Sequence, residues 1–206
     1  MTISSLTEWL KDNYIELLAV IFSLIYLYFS VRQKLLLWFF SILSSALYVY
    51  ICFVAKIYAD MALNLYYVVI SIYGWIIWVK GKNPDKPLLI TRINKKFVLY
   101  LSFAGITLFF ALLLLLKKYT DSPIPYVDAF TTAGSIIATW MLARKMLEHW
   151  ILWIVIDAVS MGLYYYRGLY ITIILFFVYT VISVAGFFKW RQEFNRLKLS
   201  GSLETE

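Results

Sequence analysis

Apolar residues in this chain run in long blocks, separated by short polar breaks. A membrane-crossing helix needs about 20 mostly apolar residues, within a range of roughly 17–25. Seven stretches meet that length: about 14–31, 35–55, 58–79, 97–116, 125–147, 150–166 and 169–190. The longest polar break is GKNPDKPLLITRINKK at 81–96, and Thr120-Asp-Ser-Pro-Ile-Pro125 makes a second, because proline disfavours a helix interior. The pattern predicts an all-α integral membrane protein with seven transmembrane helices. Ser5-Leu-Thr-Glu8 resembles a capping box and predicts a short amphipathic helix ahead of the first span.

Composition agrees with lipid as the solvent. Hydrophobic residues make up 63% of the 206 and charged residues 15%, whereas soluble domains have roughly 45–50% and about 25%. The net charge is +7, but the basic residues lie between the apolar blocks, where they act as topology signals rather than as a nucleic-acid surface. The start, MTISSLTEWLKDN, has neither a basic n-region nor a small-residue cleavage site and does not read as a cleaved signal peptide. With seven spans, one side of the membrane holds five basic residues: Lys11, Lys56, Lys117, Lys118 and Arg167. The other fourteen of the 19 Lys and Arg fall on the opposite side. The positive-inside rule therefore predicts an external N-terminus and a cytoplasmic C-terminus, in the inner (plasma) membrane.

Sliding the chain along itself so that Ser23 falls on Ser135 gives an ungapped internal match. In that single register Arg32 falls on Arg144, Trp38 on Trp150, Tyr67 on Tyr179, Ser71 on Ser183, Gly74 on Gly186 and Trp78 on Trp190. Shared hydrophobicity explains aligned Leu and Ile, but not Trp, Gly and Ser in one register. Spans one to three therefore repeat as spans five to seven, and an even number of spans separates equivalent points. The expectation is a parallel 3+1+3 arrangement, one of the known transporter architectures. The chain divides into an N-terminal segment 1–13, a first triplet 14–80, a loop plus linker helix 81–124, a second triplet 125–191 and a cytoplasmic tail 192–206.

Polar side chains inside spans are costly unless they face the bundle or a wet cavity. At 3.6 residues per turn, Asn64, Tyr67, Ser71, Gly74, Trp75 and Trp78 share one stripe of span three. Trp150, Trp153, Asp157, Ser160 and Tyr164 share one of span six, and span two carries Trp38, Ser41, Ser45, Tyr48 and Cys52 in the equivalent register. Span seven offers Tyr179, Ser183, Gly186 and Trp190. Asp157 lies deep in its span, and Lys and Arg are absent from the middle of every span. A cationic ligand, a proton or a helix-interface hydrogen bond would satisfy it, and neighbouring rings suit a flat cation. Asn64 would bond either a ligand amide or hydroxyl or a neighbouring helix. The predicted substrate contacts are Asn64, Tyr67, Ser71, Trp75, Trp150, Trp153, Asp157, Tyr164 and Tyr179. Gly74 and Gly186 are read as points of close helix approach, Trp38, Trp190 and His149 as membrane-interface residues, and Cys52 as packing. One His and one Cys, with no basic residue in the middle of a span, leave little for an enzyme's catalytic constellation or a metal site, so neither cofactor nor catalysis is expected.

Five segments resemble the PnuC family of vitamin transporters: Ala59-Asp-Met-Ala-Leu-Asn-Leu-Tyr-Tyr67, Ser71-Ile-Tyr-Gly-Trp-Ile-Ile-Trp78, Trp150-Ile-Leu-Trp-Ile-Val-Ile-Asp157, Gly168-Leu-Tyr170 and Gly186-Phe-Phe-Lys-Trp190. The resemblance covers about 14–191. It implies a fold similar to that of SWEET sugar transporters and facilitated uptake of a dephosphorylated vitamin precursor, usually nicotinamide riboside, trapped by cytosolic phosphorylation. It also makes a homo-oligomer plausible. Where the nicotinamide riboside carriers are expected to place asparagines after the span-six tryptophan, this chain has Ile154 after Trp153, and Asp157 further on. Nicotinamide riboside and thiamine both carry a cationic aromatic ring, and Asp157 suits either.

Overall fold

In a computed structural model, residues 14–54, 58–83, 87–120, 122–166 and 170–200 are described. The N-terminal segment and its capping box lie outside them. Seven helices form among the described residues: α1 (Tyr14–Val31), α2 (Leu36–Val54), α3 (Tyr58–Lys80), α4 (Lys95–Tyr119), α5 (Pro125–Ala143), α6 (His149–Tyr166) and α7 (Tyr170–Leu199). In lipid a helix satisfies its own backbone, which is why uninterrupted apolar blocks take this form. The ends have local causes. Asn94 caps α4 by accepting the Phe97 N–H at 2.8 Å. Pro125 opens α5, where its missing N–H costs nothing.

Five of the helices, α1 to α4 and α7, are long and apolar enough to cross a membrane. The other two of the seven expected spans, α5 and α6, form helices as well but are less apolar. Both spend residues on polar or small side chains turned inward: Ser135 and Thr139 are buried on α5 beside Ala129, Ala133 and Ala138, and Asp157 and Ser160 are buried on α6. A helix enclosed by others need not be apolar all round.

The chain separates into two compact units, Met1–Asn83 and Pro84–Glu206. In the first, α2 packs between α1 and α3; in the second, α4, α5, α6 and α7 pack in chain order. The fourth helix packs on α5 within the second unit.

Each unit contains the same turn. Gln33 (φ 54) and Lys145 (φ 53) both lie in the left-handed region, and the internal repeat pairs them. After α1, the Gln33 N–H donates to Ser30 O (3.1 Å) and the Lys34 N–H to Phe29 O (3.0 Å). After α5, the Lys145 N–H donates to Leu142 O (2.9 Å) and the Met146 N–H to Met141 O (3.0 Å). These are paired Schellman-type ends. Arg32 lies over the Tyr28 ring at 4.6 Å and Arg144 over the Trp140 ring at 5.7 Å, again in register. Burial pushes the pKa of the Lys145 ammonium down. This turn ends α5 at Ala143, short of the expected Leu147.

Each unit also contains the same aromatic clamp. Trp38 meets Trp78 edge-on at 5.6 Å, and Trp150 meets Trp190 edge-on at 5.9 Å. The Trp38 ring lies against Gly74 and the Trp150 ring against Gly186, so closely that neither glycine has room for a Cβ. The two glycines therefore permit close approach, as their repeat register implies. Trp38 and Trp190 are fully buried, which corrects their reading as interface anchors: indole rings of this size are consumed by helix packing. His149 is corrected likewise. It is fully buried against Trp150 (4.5 Å) and Trp190 (4.8 Å), with Nδ1 2.6 Å from Met146 O.

The last helix continues to Leu199, beyond the expected end near 190. RQEFNRLKL has good helix propensity and a Glu193–Arg196 pair at 3.6 Å, so most of the expected tail 192–206 is helical as far as it is described.

Candidate functional site

In the second unit, α6 and α7 run antiparallel and meet at three levels. The Trp150–Gly186–Trp190 clamp holds one end. At the middle, Ser183 Oγ donates to Asp157 Oδ2 at 3.5 Å, with both residues buried. At the far end Tyr164 stacks on Phe176 at 5.1 Å, and Phe176 meets Tyr179 at 5.8 Å. Asp157, Tyr164 and Tyr179 thus line one helix pair. Trp153 is half-buried between the clamp and the carboxylate.

Asp157 is 3% exposed. An ionised carboxylate has about four acceptor positions, and among the described residues its hydrogen-bond donor is the single, distant Ser183 hydroxyl. Its acceptor capacity is largely unused, on a helix without Lys or Arg between Met146 and Tyr166. The group is suited to a cation or to hydroxyl donors. Trp150 is different. Its ring, 1% exposed, is taken up by Gly186, His149 and Trp190 and acts from behind the site.

In the first unit the predicted residues lie along α3. Ser71, which the repeat pairs with Ser183, is fully buried and bonds Ser41 of α2 at 2.7 Å, one turn from Ser45, the position equivalent to Asp157. Asn64 turns its amide back on its own helix, donating to Asp60 O at 2.9 Å. Tyr67 and Trp75 are half-buried, Tyr67 beside Tyr66 (5.9 Å) and Trp75 edge-on to Phe39 (6.4 Å). A second polar knot joins α1 and α2: Ser44 Oγ lies 2.7 Å from Ser23 Oγ and donates to Ala19 O at 3.0 Å.

Two residues were not predicted as part of the site by sequence reasoning. Phe176 links Tyr164 to Tyr179, and the repeat could have flagged it, because it occupies the position equivalent to Asn64. Ser41, which holds Ser71, carried no signal beyond its position on the polar stripe of α2.

A helical fold of this kind is shared with known proteins. Residues 13–192 match the family described as nicotinamide mononucleotide transporter. The chain belongs to this family. It is a multi-pass membrane transporter, and its family is one of transporters rather than enzymes. The chain is 23% identical over 203 residues to the nicotinamide riboside transporter PnuC of Escherichia coli, covering 86% of this chain and 85% of that one. It is 24% identical over 194 residues to the PnuC of Neisseria mucosa, covering 87% and 72%. A riboflavin/roseoflavin transporter of Streptomyces davaonensis is 27% identical over 127 residues, or 59% of this chain and 58% of that protein. A crystal structure of the vitamin B3 transporter PnuC superposes with a TM-score of 0.74 at 21% identity, over 94% of this chain and 87% of that one. The fold is therefore the PnuC fold.

Proposed function

We propose that this transporter carries nicotinamide riboside into the cell by facilitated diffusion, with cytosolic phosphorylation trapping the product. The observation that carries the cargo assignment is the buried Asp157 carboxylate with unused acceptor capacity, set among rings on α6 and α7. A pyridinium riboside matches it twice: the ring is a flat cation, and the ribose supplies hydroxyl donors. The family description names the mononucleotide, whose phosphate would need cationic partners. No Lys or Arg stands between Leu35 and Ala55, between Phe97 and Leu116, or between Met146 and Tyr166, and a phosphate near Asp157 would be repelled. This chemistry favours the riboside.

In this reading each unit offers its own candidate contacts: the second offers Trp153, Asp157, Tyr164 and Tyr179, with Trp150 behind them, and the first offers Asn64, Tyr67 and Trp75, with Ser71 behind. The matched turns and Trp–Gly–Trp clamps, all in the one repeat register, support a parallel 3+1+3, SWEET-like arrangement. The bias of basic residues supports an external N-terminus and a cytoplasmic C-terminus in the inner membrane. The riboflavin/roseoflavin relative and the shared cationic ring of thiamine make another aromatic vitamin the second reading. Titration of detergent-solubilised protein with nicotinamide riboside, nicotinamide mononucleotide, thiamine and riboflavin tests both. Saturable binding of the riboside with none of the mononucleotide is expected. Binding of thiamine or riboflavin without the riboside transfers the assignment to that vitamin.

A further inference from the structure

Ahead of α4, residues 88–93 run as a strap against the α5–α6 turn. Thr91 bridges in parallel with Met146: its N–H donates to Lys145 O at 3.1 Å, and its carbonyl accepts the Leu147 N–H at 2.9 Å. Glu148 takes two more donors, the Ile93 N–H on Oε2 (3.2 Å) and Arg92 Nε on Oε1 (3.3 Å). Ile90 is 1% exposed and Leu147 2%. The attachment continues into α4, where Phe97 stacks on Trp140 at 6.0 Å. The strap thus engages Lys145, Met146, Leu147 and Glu148, which lead directly into α6. His149 follows them and bonds back to Met146 O.

The turn does not need the strap in order to form. The equivalent turn at Gln33 has the same backbone geometry, and among the described residues no bridge joins it. The strap is an addition to the repeat, made among the described residues only in the second unit, at the root of the helix that carries Trp153 and Asp157. An α-helix transmits the placement of its first turn to residues one and two turns on, because its hydrogen bonds couple each residue to the fourth before it.

We propose that residues 88–93 form a clamp that stays closed through the transport cycle and sets the placement of α6, with Glu148 as the positioning residue that holds it. Glu148 touches no cargo and acts through the strap. The proposal rests on the transport reading above.

The test is nicotinamide riboside uptake into liposomes by full-length protein with Cys52→Ser as background. Glu148→Ala is expected to raise KM about tenfold, the equivalent of one hydrogen bond to a charged group, with the maximal rate nearly unchanged. Glu148→Gln retains an acceptor for Ile93 and is expected to stay within about threefold of the parent. Bridged partners lie about 4.8 Å apart, within disulfide range, so Thr91→Cys with Met146→Cys should cross-link on oxidation. That disulfide should restore the KM of Glu148→Ala and leave the otherwise intact protein active. An unchanged KM in Glu148→Ala, or loss of uptake when the intact protein is cross-linked, overturns the proposal. If Glu148→Ala does not fold, Thr91→Pro removes one bridging N–H without touching α6, and an unchanged KM there overturns it equally. If the unsubstituted protein moves no riboside, the transport reading fails on its own; amide exchange at Thr91 and Leu147 then reads the clamp, which is wrong if both exchange freely.

Discussion

Replacing Gly186 with Ala tests the packing that joins α6 to α7. A Cβ at Gly186 would stand 2.7 Å from Cη2 and Cζ2 of Trp150 and 2.8 Å from Cε2. Ordinary carbon–carbon contact is about 3.5–4.0 Å, so the ring must retreat by about 1 Å. It has nowhere to go: Trp150 is 1% exposed, with His149 on one side at 4.5 Å and Trp190 on another at 5.9 Å. Overpacking of this kind costs about 1–3 kcal/mol. Alanine returns up to about 1 kcal/mol through its better helix propensity. The net expectation is a loss of about 1–2 kcal/mol. Thermal unfolding in detergent, followed by loss of the monodisperse peak, reads the change as a drop of several degrees. Trp150→Phe removes the benzo ring that carries Cη2 and Cζ2, so the double variant should lose less than the sum of the singles. Gly74→Ala and Trp38→Phe should behave the same way in the first unit. Gly186→Ala as stable as the parent, or strictly additive losses, would refute the clamp.

Asp157→Ala should weaken riboside binding about 10–100-fold while expression stays near normal, the loss expected for one or two charge-assisted contacts; equilibrium titration checks it, and unchanged affinity removes Asp157 from the site. His149→Leu, which installs the residue that repeat symmetry places at Leu37, should not destabilise the protein and should gain up to about 1 kcal/mol, because among the described residues the buried His149 Nε2 has no hydrogen-bond partner. A fall in unfolding temperature would show instead that the Nδ1 bond to Met146 O outweighs the orphaned nitrogen. A reporter fused to the C-terminus should be active only if it reads cytoplasm, and a periplasmic signal would reverse the topology.

The helices and the repeat were legible because both are written in spacing. Apolar blocks of span length specify helices with little help from tertiary contacts, and the repeat register lands on the same backbone turn and the same tryptophan–glycine contact in each unit. What a polar or aromatic residue does inside a span was less legible. Trp38, Trp150 and Trp190 carry the same signal whether they anchor at an interface, stack on a ligand or fill a helix junction. Only the missing Cβ of Gly74 and Gly186 selects the third role, and that reading requires knowing which glycine faces which ring. The strap was read simply as a polar loop, because a single parallel bridge leaves no periodic trace in LLITRI. Asp157 was legible as unusual by its depth alone, and its weak link to Ser183 emerged only with α6 and α7 side by side.

The central claim is passive carriage of nicotinamide riboside through a site that includes Asp157. Uptake of labelled riboside into liposomes holding the purified protein, with neither ATP nor an ion gradient, measures it directly. The expected result is protein-dependent equilibration that stops when the inside and outside concentrations are equal and slows sharply in Asp157→Ala. Accumulation above the outside concentration in empty vesicles, or no protein-dependent entry at all, would contradict it.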